Sequence, residues 1–267
     1  MIAAALALAL GAAAAAPAAE PAEAPSILQK VEIVEHLGDQ VPLDAAFRDQ
    51  QGRTVTLGEL LAGDKPVVMA LVYYECPMLC GLVLGGLARG MRQTGLELGR
   101  DFRAVSVSFD PREKPGLALV RQTAYLQSMG RPEATGDWRF LTGEEPQIEK
   151  VTGAVGFEYA YDESTKQFAH AAAIMVLSPG GKVSRYLYGV EYPGRDLRLA
   201  LVEAGQGRVG TSFDRFLLTC YRYDPAARRY VPYALGFVKV GAVLVALLLG
   251  GALAVYWRRE ARKGGVR

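Results

Sequence analysis

Two cysteines separate a strand-like run from a helix-like run in this sequence. Residues 67–74, VVMALVYY, are continuously apolar and rich in residues that favour strands, as expected for a strand covered on both faces. Cys76 and Cys80 follow at once, and residues 82–93 then place apolar side chains at helical spacing. In α/β folds, ligands bind in the loops that leave the carboxyl ends of strands. The pattern therefore predicts an α/β domain with both sulfur atoms in a ligand-binding loop.

The rest of the chain continues this alternation of strands and helices. Gln51-Gly52 marks a turn between two short alternating runs and predicts a hairpin ahead of the first buried strand. A second hairpin turn is predicted at residues 178–181, SPGG. We therefore expect one α/β domain with a mixed central sheet over residues 42–230. Further strands are predicted at residues 102–109, 138–141, 171–177 and 183–188, and further helices at residues 117–129, 144–155 and 196–204.

The N-terminal segment is typical of an exported protein. Residues 1–16 contain no charged side chain and lead into a stretch rich in alanine and proline. Such a run resembles the apolar part of a signal peptide, followed by small residues that suit a cleavage site. We predict a signal peptide over residues 1–19 and a linker over residues 20–41. A low-complexity N-terminus is the alternative interpretation.

A second apolar segment, near the C-terminus, predicts a membrane anchor. Residues 233–257 carry one charged side chain, Lys239, and residues 240–257 carry none, which suits a helix crossing about 30 Å of hydrocarbon. A buried core helix is the alternative, but few soluble helices are apolar on every face. Residues 258–267 hold five basic residues and one acid, so this tail is expected in the cytoplasm. We predict a single-pass protein of the bacterial inner membrane with its domain in the periplasm.

Charge and cysteine content narrow the function classes. Without the tail, 25 basic and 27 acidic residues remain, and no basic stripe typical of a nucleic-acid-binding protein is present. In an exported protein, three cysteines leave at least one unpaired within the chain unless a metal or a partner uses it. The third cysteine, Cys220, lies shortly before the membrane segment. A buried or unreactive thiol, an intermolecular disulfide and a metal-relay role are the interpretations open to it.

Cys76 and Cys80 could form a structural disulfide, act as a redox couple or bind a metal. A position at the start of a helix favours the thiolate, because free backbone N–H groups and the helix dipole stabilise negative charge there. The sequence contains two histidines. His36 lies in the lead-in, where we expect it to be solvated, and His170 lies immediately before a predicted strand. Glu75 adjoins the first cysteine and is expected to be a solvated carboxylate.

Two further motifs accompany the cysteines and the histidine. Residues 108–111 (SFDP) follow the next predicted strand, and residues 138–143 (WRFLTG) precede a predicted helix. Together with the two cysteines after an apolar strand and the histidine before a later strand, these motifs resemble the SCO/SenC copper chaperones, a thioredoxin-like family that assists assembly of the copper site of respiratory oxidases. The resemblance implies that Cys76, Cys80 and His170 are the copper ligands and that Asp110 is a loop residue near the site. Two soft thiolates and one imidazole suit Cu(I), and the same set can hold Cu(II), whereas zinc normally takes a fourth ligand.

The resemblance implies a metallochaperone rather than an enzyme. It would bind one copper and deliver it to subunit II of cytochrome c oxidase, with another copper chaperone or a thiol–disulfide reductase as further partners. The alternative is a thiol–disulfide reductase that reduces the cysteines of the oxidase copper site before copper binds. Thioredoxin-like oxidoreductases usually have a cis-proline before the strand that faces the cysteines, and Ala169-His170-Ala171 has none. A sensor is disfavoured because the short tail has no room for a regulatory domain. Many family members carry an N-terminal anchor, so the predicted C-terminal anchor departs from the family pattern.

Overall fold

Strands and helices alternate along the described part of the chain. The computed structural model describes residues 31–206, 218, 221–224, 227 and 229–264. The strands are β1 (Ala46–Arg48), β2 (Thr54–Thr56), β3 (Val67–Val72), β4 (Arg103–Ser108), β5 (Trp138–Leu141), β6 (Tyr159–Asp162), β7 (Gln167–His170), β8 (Ala173–Leu177), β9 (Val183–Tyr188), β10 (Tyr221–Asp224) and β11 (Arg229–Pro232). The helices are α1 (Leu57–Leu61), α2 (Leu79–Gln93), α3 (Pro115–Ser128), α4 (Glu145–Ala154), α5 (Gly194–Ala204) and α6 (Ala234–Gly264).

A five-stranded mixed sheet forms the centre of the domain, in the order β5-β4-β3-β8-β9. Strands β3, β4 and β5 run parallel, whereas β8 runs antiparallel to both β3 and β9. All six residues of β3 are buried, because this strand is central and covered on both faces. The predicted α/β class with a mixed sheet is confirmed, and each predicted strand and helix is present with small differences in length.

Helix α2 packs closely on the segment that follows β9. A side chain at Gly86 would meet the Val190 carbonyl oxygen, because an ideal Cβ there lies only 1.9 Å from it. A glycine on this face of the helix therefore lets the two backbones touch. Helix α2 begins directly after the loop that leaves β3. The close packing at Gly86 therefore also restricts where that loop can lie.

Besides the β1–β2 hairpin, two further hairpins of the described residues lie outside the central sheet. Strands β6 and β7 pair only with each other, and His170, the last residue of β7, pairs with Tyr159. We call this unit the histidine hairpin. Strands β10 and β11 form the other hairpin, which contacts α5 through a hydrogen bond from the Tyr230 hydroxyl to Glu203 at 2.6 Å. Neither hairpin was predicted from the sequence, whereas the β1–β2 hairpin was.

The lead-in to the domain is ordered by contacts with the rest of the fold. Ile33 pairs with Phe157, and Val41 is fully buried, so residues 31–41 are part of the domain rather than the linker expected over residues 20–41. The expectation of a solvated His36 was also wrong. Its backbone N–H donates to the Tyr186 hydroxyl at 3.1 Å, and its Nδ1 lies 3.1 Å from a backbone carbonyl oxygen. The predicted signal peptide, residues 1–19, lies outside the described residues.

One helix in the described part of the chain is long and apolar enough to cross a membrane. Within α6, the segment Val238–Arg258 has a mean hydropathy of 2.3 and is not buried by the domain. A helix whose apolar side chains are exposed on every face suits a lipid environment. The predicted C-terminal membrane helix is therefore supported by both length and exposure.

Candidate metal centre

The two cysteines lie at the carboxyl end of the central strand. After β3 the chain forms a short loop over residues 73–78, which we call the cysteine loop, and α2 then begins at Leu79. Cys80 lies in the first turn of the helix and is 2% exposed, whereas Cys76 lies in the loop and is half-buried. The Cys80 backbone N–H donates to Cys76 Sγ at 3.3 Å, and the Tyr73 N–H donates to Cys80 Sγ at 3.3 Å. A free N–H group at the helix start thus holds Cys76 Sγ, and the N–H group directly after β3 holds Cys80 Sγ.

His170 completes a group of three soft donors. Its Nε2 lies 3.3 Å from Cys80 Sγ, although 90 residues separate the two along the chain. Its Nδ1 lies 3.0 Å from the Ala171 carbonyl oxygen. Because a carbonyl oxygen only accepts, the proton of the neutral ring lies on Nδ1, and the lone pair of Nε2 points to Cys80. The structure therefore brings together all three residues proposed as ligands from the sequence.

Aromatic rings surround the imidazole and keep water from it. The ring centroids of Phe109, Phe157 and Tyr73 lie 5.2, 5.9 and 6.2 Å from that of His170. The imidazole is 9% exposed as a result. A ring packed in this way keeps its orientation toward Cys80, which is what a metal ligand requires.

The two sulfur atoms differ in charge. A hydrogen bond from Cys80 lowers the pKa of Cys76 to about 3, although burial opposes this shift. Burial raises the pKa of Cys80 well above its ordinary range, and the neighbouring Cys76 reinforces that shift. Cys76 is therefore the thiolate, and Cys80 keeps the one proton that lies among the three donors. Within the described residues the three donors are adjacent but do not form a closed coordination cluster.

A buried carboxylate that the sequence interpretation missed supports the cysteine loop. Glu113 accepts hydrogen bonds from the backbone N–H groups of Tyr74 at 2.9 Å and Glu75 at 2.7 Å, and from the Ser108 hydroxyl at 2.5 Å. Burial raises the pKa of Glu113. Glu113 could have been predicted from its position shortly after β4. Neighbouring parallel strands end at the same edge of a sheet, so residues after β4 lie near the cysteine loop that follows β3.

The remaining residues singled out from the sequence lie around this centre. Asp110 is buried in the loop after β4, as expected, and its carboxylate pairs with Arg112 instead of reaching the sulfur atoms. The Glu75 side chain is exposed, in agreement with a solvated carboxylate. Cys220 lies outside the described residues.

Comparisons with known proteins agree with this architecture. The SCO1/SenC family model matches residues 39–198. A proposed electron transfer protein from Aquifex aeolicus VF5 is 26% identical with a TM-score of 0.56, over 66% of this chain and 98% of that one. A SCO1/SenC family lipoprotein from Bacillus anthracis str. Ames is 23% identical with a TM-score of 0.50, over 61% and 92%. Arabidopsis thaliana ScoI, solved with copper bound, is 21% identical with a TM-score of 0.48, over 60% and 95%.

No curated protein sequence matches the chain. The Aquifex and Bacillus structures share its fold, and the family match spans both cysteines and the histidine. Since that match covers more than half of the sequence, the chain belongs to the SCO1/SenC family.

Proposed function

We propose that this protein is a membrane-anchored copper chaperone that holds one copper ion through Cys76, Cys80 and His170 and delivers it to the copper site of cytochrome c oxidase subunit II. The observation that carries the proposal is the contact of 3.3 Å between Cys80 Sγ and His170 Nε2, with Cys76 Sγ on the Cys80 amide. Two sulfurs and one imidazole nitrogen meet at the carboxyl edge of the sheet, where α/β proteins bind ligands.

The chemistry of these donors suits copper as the cargo. Thiolate and imidazole ligands select Cu(I), and the same set can hold Cu(II), whereas oxygen-preferring metals need carboxylates. Cys76 is already ionised, and the Nε2 lone pair of His170 is free for a metal, so only the Cys80 thiol must lose a proton. Structural zinc sites normally have four protein ligands, and this group offers three.

Delivery would occur outside the cytoplasm. The apolar helix within Val238–Arg258 supports a membrane anchor. We propose that residues 1–19 are a signal peptide, that the copper-binding domain begins by residue 31 and extends to residue 230, and that residues 233–257 cross the inner membrane. The basic tail, residues 258–267, would then lie in the cytoplasm and the domain in the periplasm. The oxidase as recipient rests on family membership, as does a further chaperone or reductase as partner.

A thiol–disulfide reductase is the second candidate, and the difference in charge between the two sulfurs favours it. The Cys76 thiolate would attack a disulfide of the target protein and form a mixed disulfide, releasing one target thiolate. Cys80 would then lose its proton and attack Cys76 Sγ, releasing the second target thiolate. The target disulfide is thereby reduced. The two electrons come from Cys76 and Cys80, which become oxidised to a disulfide.

Copper loading tests the proposed ligand set. We expect the reduced full-length protein, loaded with Cu(I) without oxygen, to retain one copper per chain after desalting. Replacing either cysteine with alanine should abolish tight binding, because one thiolate and one imidazole leave the ion two-coordinate and open to competing ligands. A Cys76→Ala/Cys80→Ala variant that still holds one copper with the parent's affinity would exclude the site.

His170→Ala separates the two functions. The variant loses an imidazole ligand and should release Cu(I) more readily to a competing chelator, while its dithiol should still reduce a model disulfide. His36→Ala is the matched control, because the His36 imidazole contacts the backbone carbonyl oxygen of Ala154. If His170→Ala holds copper as tightly as the parent and supports oxidase assembly in cells, the reductase function replaces the chaperone function.

A further inference from the structure

Met78 is the exposed sulfur of the cysteine loop. It lies midway between Cys76 and Cys80, and its side chain is 70% exposed. The other methionines in the described part of the chain are buried, as Met69, Met91 and Met175 are, or partly buried, as Met129 is. Met78 is therefore the one thioether in these residues that is presented to solvent.

Met78 does not stabilise the start of α2 through its side chain. Met78 is the N-cap of α2, and its side chain makes no capping hydrogen bond. Serine, threonine, aspartate or asparagine at an N-cap typically stabilises a protein by about 1 kcal/mol relative to residues that cannot cap. An N-cap side chain normally bonds the helix start, and a large apolar side chain is normally buried. Met78 does neither, and such exceptions concentrate at functional sites.

We propose that Met78 is a further Cu(I) ligand, which binds the ion while it passes between Cys76 and an external donor or acceptor. The inference rests on the function proposed above. Met78 lies two positions from each cysteine along the chain, so its Cα lies at most about 7 Å from either of theirs. The Cys80 N–H donates to Cys76 Sγ at 3.3 Å, so the loop that contains Met78 closes around that sulfur atom. The flexible methionine side chain can cover the remaining distance, and thioethers are soft ligands that suit Cu(I).

Each step of the transfer is a ligand exchange without oxidation or reduction. The Met78 thioether forms a bond to Cu(I) as the ion breaks one bond to its external carrier. The Cys76 thiolate and His170 Nε2 then bind as the ion breaks its remaining bonds to the carrier, and Cys80 Sγ replaces Met78 as the Cys80 proton passes to water. Copper stays Cu(I) throughout. Release to an acceptor follows the same steps in reverse, so Met78 speeds both directions without adding to the final affinity.

An apolar contact with a partner protein is the competing role for the same residue. Leu82, one helical turn further along α2, is also an exposed apolar residue. Met78→Leu distinguishes the roles, because leucine keeps the apolar surface and removes the sulfur. Met129→Leu is the control, because it removes a partly buried thioether at the far end of α3.

The test uses reduced full-length protein in detergent, with methionine methyl groups labelled with ¹³C, and Cu(I) presented by a small-molecule chelator. We expect added Cu(I) to shift or broaden the Met78 methyl resonance more than that of Met129. Met78→Leu should slow copper transfer in both directions by roughly tenfold, with the dissociation constant unchanged within twofold, whereas Met129→Leu should match the parent.

The role of Met78 would be overturned if copper binding left the Met78 methyl signal of the parent unmoved and Met78→Leu transferred copper at the parental rate. If the parent still bound one copper, the chaperone function would stand. A parent that binds no copper would overturn both.

Discussion

Arg112 and Asp110 form a two-point ion pair at the edge of the proposed copper site. Arg112 Nε donates to Asp110 Oδ1 at 2.8 Å, and Nη2 donates to Oδ2 at 2.7 Å. The same guanidinium lies over the rings of Tyr161 and Phe168, 5.0 and 5.5 Å from their centroids. Asp110 follows β4, and the two rings belong to the histidine hairpin. Arg112 therefore connects the sheet edge to the hairpin that carries His170.

Arg112→Gln should loosen that hairpin and weaken copper retention. A cation over an exposed aromatic ring contributes about 0.5–1 kcal/mol, so losing this contribution should raise the Cu(I) dissociation constant roughly two- to fivefold. Chelator competition measures the change. Arg131→Gln, which breaks the ion pair with Glu133 instead, is the control and should leave copper binding unaltered. Equal weakening by both variants would exclude the proposed connection.

Cys76 should be alkylated as a thiolate at mildly acidic pH. With its pKa lowered to about 3, iodoacetamide should modify Cys76 at nearly constant rate from pH 5 to pH 8, while Cys80 reacts slowly because it is buried and protonated. Cys80→Ala removes the main hydrogen bond, so the rate midpoint should move up toward the ordinary value of about 8.5. Rates that rise steeply through pH 8 in the parent would contradict this assignment.

The lowered pKa of Cys76 should also make the stability of the protein depend on pH. The folded-state pKa of Cys76 lies below its unfolded value, so its contribution is fully present above about pH 8.5 and is lost as the pH falls toward the folded value. Comparing the parent with Cys76→Ser should show an advantage in unfolding free energy for the parent that shrinks from pH 8 to pH 5. An advantage that grows over this range would have the wrong sign.

Copper binding should release one proton rather than two. At pH 7 Cys76 is already ionised, and only Cys80 must lose a proton to the solvent. The Cu(I) dissociation constant should therefore fall about tenfold per pH unit between pH 7 and pH 8, because one proton competes with one ion. Two ordinary thiols would give about a hundredfold change per unit. A titration in weakly buffered solution counts the same proton directly.

Glu113→Gln should destabilise the cysteine loop. The carboxylate accepts from Tyr74, Glu75 and Ser108, and an amide turns one of its oxygens into a donor, which leaves a buried group unpaired. We expect a loss of about 1–3 kcal/mol in the free energy of unfolding, measured in denaturant through the fluorescence of buried Trp138. Glu149→Gln, at an exposed position on α4, is the control. A loss equal in both variants would show that Glu113 has no special part in the loop.

The elements nearest the sulfur atoms were predictable because their signals are local. Burial on both faces of β3 leaves an unbroken apolar run, and α2 shows its packing face at helical spacing. His170 was different. Its place beside Cys80 followed from the family resemblance, since no periodicity relates residues so far apart along the chain.

The parts that sequence interpretation missed depend on contacts between distant segments. The histidine hairpin mixes polar and aromatic residues with no clear alternation, and its packing on Phe109 is visible only in three dimensions. The support from Glu113 arises because β3 and β4 end side by side. His36 was misjudged for a similar reason, since its carbonyl partner belongs to α4.

The hairpin that holds α6 to the domain also limits how far the cysteine loop can travel. Strand β11 ends at Pro232 and α6 begins at Ala234, so one residue separates the β10–β11 unit from the helix that suits a bilayer. If α6 anchors the protein as proposed, a tether this short would give the domain a narrow range of heights above the lipid surface. Copper exchange would then be confined to acceptor proteins whose copper sites lie at the same height above the membrane. Distance from the membrane would therefore help to select the partner, in addition to surface complementarity.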